Sequence, residues 1–343
     1  MVVNQTWLDQ VREEPIDPAY PVIDPHHHIW PTNPRRGYIY LIDDLVRDLT
    51  AGHNVRASVF IQCSTMYRQS GSEHLKPIGE TEWVNGIAEQ YAKANPSGPA
   101  IMAGIVGHCN LAGDRVDEVL ETHMAAAPKR FRGIRHVCTW TDDVEVLKTT
   151  VAYQKDLLID PAFRRGFARL QKYGLSFDSW IFHPQLPHLA DLARAHPGIP
   201  IVINHLGAPL GQGTFAARKD EVFAEWRQSI DALAACPNVH MKLGGSAMPL
   251  FGFAWDSHPK PPSSDELIRA ARHFYDYAIE KFSPSRCMFE SNFPVDKEQC
   301  AYIPLWNSFK KMTANFSKAE KADMLYNTAR RFYRLEAVTS PSK

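Results

Sequence analysis

No stretch of this chain approaches the roughly 18 consecutive apolar residues that a membrane-spanning helix needs. No membrane partner is therefore expected. Excess charge of either sign is also missing: 38 basic side chains face 38 acidic ones. No basic stretch interleaved with aromatics stands out, so nucleic acid is not an expected partner either. The six cysteines, at 63, 109, 138, 236, 287 and 300, form neither a CxxC pair nor a dense framework. They read as reduced thiols. The opening MVVNQTWLDQVREEP has neither the basic nor the apolar region of a secretory signal, which together with the thiols predicts a cytoplasmic protein. A glycine-rich dinucleotide fingerprint is absent after the first apolar run, which counts against an open doubly wound sheet. Internal repeats and low-complexity tracts are absent as well.

What remains is an ordinary globular composition, 44% hydrophobic and 22% charged, sufficient for a large core. Eight short runs rich in Val, Ile and Phe recur along the chain, at 21–28, 57–63, 103–109, 131–137, 175–182, 199–206, 239–245 and 286–294. Several are almost continuously apolar, as parallel strands covered on both faces should be. Between them lie helical patterns such as 79–94, 160–174, 185–198 and 265–282, with a final pair near 304–314 and 317–335. Gly174 and Pro197-Gly198 supply stop signals. Eight strand–helix units without a linker predict an α/β single-domain (β/α)8 TIM barrel. Its expected limits are an arm over 1–20, the barrel over 21–335 and a flexible tail over 336–343. The Pro-rich segment 254–266 reads as a loop over the barrel mouth.

In such a barrel the C-terminal strand ends form the active site, so the residues there can be read as an inventory. VIDPHHHIW (22–30) ends the first strand. Regular alternation puts Asp24, His26 and His28 on one face and His27 on the other. Two imidazoles so placed can hold a divalent metal. Later strands end near Gln62, His108, Arg135 with His136, His183, His205, Lys242, and Glu290 with Asn292. Arg135 offers a fork of donors suited to a substrate carboxylate, and Lys242 is a second expected substrate-binding cation. Trp140, with Trp30, Tyr67 and Trp180, is a candidate wall for a ring-shaped pocket. Each of these residues also has a purely structural reading, as a helix cap, an ion-pair partner or packing between barrel and helix.

VIDPHHHIW, INHLGAP (203–209) and MFESNFPVD (288–296) together resemble the amidohydrolase superfamily. More narrowly, they are similar to the amidohydrolase-2 group of fuconolactonase-like and 2-pyrone-4,6-dicarboxylate-lactonase-like enzymes. GETEWVNGIAEQ, FRGIRH, HPQLPHLADLA and VHMKLGG add to a resemblance that runs from about residue 20 to 335. It implies hydrolytic chemistry in a (β/α)8 barrel, with decarboxylation in related branches. It also implies His26 and His28 as a metal pair, His183 as the fifth-strand ligand, and His205 as the group that polarises a carbonyl or moves a proton. The family's eighth-strand aspartate is replaced here by Asn292, an amide that cannot take a proton from water. Glu290 is the expected replacement carboxylate, with Asp296 and Asp24 behind it. Some lactonases of the group work without a metal.

The expected function is hydrolysis of a small carboxylic ester, a lactone of a sugar acid or of an aromatic-degradation intermediate. Water would attack a polarised carbonyl, with His205, Glu290 and Asn292 at the reacting centre. A divalent zinc or manganese ion is the expected cofactor, held by His26, His28 and His183. Two alternatives stand beside this one: a metal-dependent decarboxylase of an aromatic or muconic-type acid, and a non-catalytic barrel that binds a metabolite. A homodimer is expected on base rates alone.

Overall fold

The computed structural model describes residues 3–33, 36–150 and 152–335; the expected tail over 336–343 lies outside them. Eight parallel strands follow one another around a sheet in chain order. They are β1 (Pro21–His27), β2 (Asn54–Ile61), β3 (Ala100–Gly107), β4 (Phe131–Ile134), β5 (Ser176–Ser179), β6 (Ile201–Ile203), β7 (Val239–Leu243) and β8 (Cys287–Phe289). A long helix follows each strand in turn: α1 (Ile42–Leu49), α2 (Ile78–Ala94), α3 (Val116–Ala126), α4 (Pro161–Tyr173), α5 (Leu186–Ala195), α6 (Lys219–Ala234), α7 (Ser264–Phe282) and α8 (Tyr302–Met312). The single-domain (β/α)8 barrel is what the sequence predicts.

Local signals set the helix limits. Asp160 caps α4 by accepting from the amides of Ala162 and Phe163, Pro161 opens the helix, and Gly174 ends it at φ 62°. That left-handed position suits glycine because it has no Cβ to clash. Ser263 and Glu266 form a capping box at the start of α7.

The barrel closes just beyond the end of β8. Asn292 N donates to His26 O at 2.9 Å, and His28 N donates to Phe293 O at 2.8 Å. Site residues are therefore part of the seam itself. Two apolar layers hold the structure. The larger fills the space between sheet and helices. The smaller lies inside the barrel, where Ile23, Val59, Val106, Val202 and Met288 pack against Tyr326, Phe332 and Tyr333 from the C-terminal helical segment. From that segment Tyr333 reaches Asp178 of β5, its hydroxyl donating at 2.7 Å.

The strands end earlier than the apolar runs do. The fifth run extends to 182 but β5 stops at Ser179, and the eighth extends to 294 but β8 stops at Phe289. At these points the chain leaves the ladder to build the loops of the mouth. The segment 254–266 contributes nothing to the cavity described below. It lies beside the N-terminal arm instead, with Trp7 Nε1 donating to His258 O and Ser264 N donating to Glu13. Among the described residues no helix is long and apolar enough to cross a membrane.

Candidate active site

At the C-terminal mouth lies a cavity of about 730 Å³. Its lining includes His28, Gln62, Arg135, Trp180, His205 and Asn292, with Trp30 and Tyr153 along the walls. Arg36, Arg135 and Lys148 line it, and among the described residues no carboxylate does. Arg36 is ion-paired with Glu298 and Lys148 with Glu145, which leaves Arg135 as the lining cation without an acid partner. A shallower groove of about 470 Å³ between residues 112–118 and 162–169 has mixed charge and no histidine.

Beneath the floor sits a tight charged cluster. Glu290 Oε1 accepts from both the amide (3.1 Å) and Nδ1 (2.7 Å) of His205. Its other oxygen lies 2.6 Å from His26 Nδ1 and 3.7 Å from Lys242 Nζ, without a hydrogen bond of acceptable geometry. Burial drives the Glu290 pKa upward, but His205 and Lys242 outweigh it, and the carboxyl ends below its ordinary value as an anion. Burial also lowers the pKa of His205, against the opposing pull of Glu290, and lowers that of His26 further with help from Lys242. Both rings are therefore neutral at physiological pH. A carboxylate can only accept, so the His205 proton sits on Nδ1 and leaves Nε2 bare.

The backbone around this pair is specialised. His205, Leu206, Gly207 and Ala208 all have positive φ, between 42° and 69°. For the three non-glycine residues that costs on the order of 1–3 kcal/mol each. The turn is held by Glu290 at the His205 amide and by Trp226 Nε1 on Leu206 O at 2.6 Å. Two glycines after β7 clear the space. A Cβ on Gly244 would lie 2.4 Å from Glu290 Cγ, and one on Gly245, at φ 69°, would lie 2.5 Å from His205 Nδ1.

Several of the expected residues lie together and others do not. His26, His205 and Glu290 meet, their ligand atoms within 4.8 Å of one another. Arg135 is 6% exposed and makes no ion pair with a carboxylate among the described residues. It bonds instead to Gln62 O, to Gln62 Oε1 (3.2 Å) and to His26 Nε2 (3.3 Å). His28 Nδ1 donates to Ile61 O at 2.7 Å, which leaves its Nε2 toward the cavity. Asn292, at φ 56°, donates from Nδ2 to Asp296 at 2.8 Å. Such a left-handed position is one that asparagine tolerates better than most residues.

His183 stands apart from the cluster. Because β5 ends at Ser179, Trp180 takes the strand-end place, its ring 4.8 Å from that of His205. The chain then turns into the short helix His183–Gln185, where the His183 ring packs on Phe215 and faces Glu225. It does not join the expected metal set. Lys242 is fully buried below the cavity, donating to Asp178 (2.9 Å) and Pro25 O with His26 Nδ1 3.2 Å away, so it braces the site from beneath. Trp140 lies outside the cavity under Lys155, and Tyr67 does not line it. Asp24 is on the opposite face from His26, accepting from Tyr302 of α8 and from Ser291 N. A bulge in β1 between Asp24 and His27 breaks the regular alternation.

Sequence reasoning missed Asp178, Tyr333 and the structural importance of Gln62. Asp178 Oδ1 takes Lys242 at 2.9 Å and Tyr333 OH at 2.7 Å. A lone acid inside the apolar run LSFDSWIF was the available signal. The doublet ending VHMKLGG was the signal for the two glycines.

The amidohydrolase family model matches residues 23–335. The chain belongs to the amidohydrolase family. It is an enzyme of that hydrolytic family. A Sinorhizobium fredii protein named y4mH is 29% identical over 334 residues, covering 92% of this chain and 98% of its own. An L-fucono-1,5-lactonase of Burkholderia multivorans is 28% identical over 237 residues, 69% of this chain and 73% of that one. Among solved structures, a Burkholderia multivorans amidohydrolase with bound zinc superposes with a TM-score of 0.70 at 24% identity, covering 92% of this chain and 99% of that one.

The donor set at the floor suits a divalent ion. It offers two neutral imidazoles and one ionised carboxylate, with an oxygen that no hydrogen bond occupies. Lys242 and Arg135 already supply positive charge 3.2 and 3.3 Å from the His26 ring nitrogens, which lowers the affinity of the set for a cation.

Proposed function

We propose that this amidohydrolase hydrolyses a small lactone that carries a carboxylate, by water attack on the ring carbonyl. The observation that carries the reading is the His205–Glu290 pair. It presents a neutral, carboxylate-oriented imidazole at the floor of a cavity that the Arg135 guanidinium also lines. The lactonase name of a relative at 28% identity supports it.

In this mechanism Arg135 receives the substrate carboxylate. Three of its five N–H groups are engaged within the protein, which leaves one on each terminal nitrogen for a bidentate contact. Trp180 and Trp30 flank the ring. His205 Nε2 takes a proton from water as the water oxygen bonds to the carbonyl carbon. The tetrahedral adduct then breaks its bond to the ring oxygen, His205 returns the proton to that oxygen, and the product is an open hydroxy acid. Glu290 keeps the ring in the required tautomer and stabilises the transient imidazolium, as an acid does for a catalytic histidine elsewhere. Asn292 lines the cavity as a hydrogen-bonding group that takes no proton. A zinc or manganese ion would be held by His26, His205 and Glu290, and when bound it would supply Lewis-acid polarisation of the carbonyl and water activation in place of the free His205 base.

The test is turnover of a panel of neutral and carboxylated lactones, followed by acid release, beside carboxylated aromatics followed by carbon dioxide release. Acid release from carboxylated lactones, lost in His205→Ala, is the expected result. Carbon dioxide release without lactone opening would overturn it in favour of a decarboxylase.

A further inference from the structure

Arg135 must be aimed, and among the described residues its side-chain bonds all go to other strands. Both of its protein anchors besides His26 belong to Gln62, at the end of β2. Gln62 in turn donates from Nε2 to Ser64 Oγ at 2.8 Å. The turn that follows is unusual, with Ser64 at φ 64° and Met66 at φ 51°, two side-chain-bearing residues in left-handed conformation. Something must hold such a turn against its relaxed alternatives.

The holder is the first turn of α2. Glu80 is 1% exposed, and its Oε1 accepts from Cys63 N at 3.0 Å and from Thr65 N at 2.9 Å. The neighbouring Gly79 lets the two segments meet. A Cβ there would lie 2.5 Å from Met66 O and 2.6 Å from Arg68 N. Glu80 Oε2 is buried without a partner, so a single oxygen carries the whole attachment. Gln62, Cys63, Ser64 and Thr65 all line the cavity.

We propose that Glu80 is a positioning residue for substrate binding: it seats the 62–66 turn, and through Gln62 that turn fixes the Arg135 guanidinium toward the cavity. The proposal rests on the reading of Arg135 as the carboxylate anchor. Because one oxygen accepts both amides, glutamine at position 80 preserves the attachment and alanine removes it.

The experiment uses the full chain and its Glu80→Gln and Glu80→Ala variants. Amide hydrogen exchange reports on Cys63 and Thr65, and the Arg135 Nε–H proton exchange rate is read by NMR. Calorimetry compares furan-2-carboxylate with neutral furan-2-carboxamide as probes. In Glu80→Ala, exchange at Cys63, Thr65 and Arg135 Nε–H rises while the rest of β2 stays protected. Carboxylate binding weakens by about tenfold, the scale of one lost charge-assisted hydrogen bond, with the carboxamide unchanged. Glu80→Gln stays near wild type throughout. Unchanged exchange in Glu80→Ala, loosening spread evenly over the barrel, or a glutamine variant that behaves like alanine would each overturn the proposal. If the wild type binds no furan-2-carboxylate, the anchor reading of Arg135 fails, and the Arg135 Nε–H exchange alone then decides whether Glu80 positions that side chain.

Discussion

His205 is tied to Glu290 twice, through its backbone amide at 3.1 Å and its ring Nδ1 at 2.7 Å, by the same carboxylate oxygen. One acid therefore fixes both the left-handed turn and the tautomer of the ring. Glu290→Gln offers an amide NH₂ or a neutral oxygen in its place and weakens both. On the mechanism above, kcat falls by about 10²–10⁴, the usual contribution of an oriented general base. The fall appears in kcat with KM nearly constant. A loss confined to KM would show that Glu290 serves binding and not proton transfer.

The position of His183 makes a sharp prediction about metal. After dialysis against zinc and removal of excess, elemental mass spectrometry of the untagged protein should find metal that His26→Ala and Glu290→Ala lose. His183→Ala should keep it, because that ring packs on Phe215 away from the triad. Loss in the His183 variant with retention in the other two would return the ligand set to the one expected from the sequence.

Arg135→Met should discriminate between substrates. Turnover of carboxylated lactones drops by about 10- to 100-fold in kcat/KM, as removal of a charged hydrogen-bonding partner costs about 1.5–3 kcal/mol. Neutral lactones change little. An equal loss on both kinds of lactone would mean that Arg135 supports the site only through Gln62 and His26.

Lys242 is fully buried between two acids, Asp178 at 2.9 Å and Glu290 at 3.7 Å. Lys242→Met leaves those charges uncompensated and should destabilise the fold by about 3–5 kcal/mol, read from urea unfolding. The paired change Lys242→Met with Asp178→Asn should recover part of the loss. If the double variant is no more stable than the single one, the ion pair is not what the site relies on.

Glu80 makes stability depend on pH. Burial raises its pKa from 4.5 to about 7 despite the amides of Thr65 and Cys63 and the charge of Arg135, with Cys63 and Tyr67 also close by. The folded state thus holds this proton more tightly than the unfolded chain. Its contribution is fully present below about pH 4.5, falls as pH rises through 7, and is level above that. The interval from 4.5 to about 7 corresponds to about 3 kcal/mol. Glu80→Gln cannot ionise, so its stability relative to wild type should rise across that window. Parallel wild-type and variant profiles would contradict the buried, proton-holding acid.

The sequence by itself determined the barrel. Eight apolar runs separated by capped amphipathic helices must bury both faces of each strand, and one closed parallel sheet accomplishes that. It also determined which strand ends carry His26, Arg135, His205 and Glu290, since those follow from counting runs. Only the tertiary structure decided which of these residues meet. Register and closure set where each strand stops, and a difference of three residues at β5 puts Trp180 at the site and sends His183 outside. A bulge in β1 likewise turned Asp24 away from His26, and no local pattern marks it. Lys242 reads the same in sequence whether it reaches a substrate or an internal acid. Asp178 lies 64 residues away along the chain, and only the closed barrel brings the two within hydrogen-bond reach.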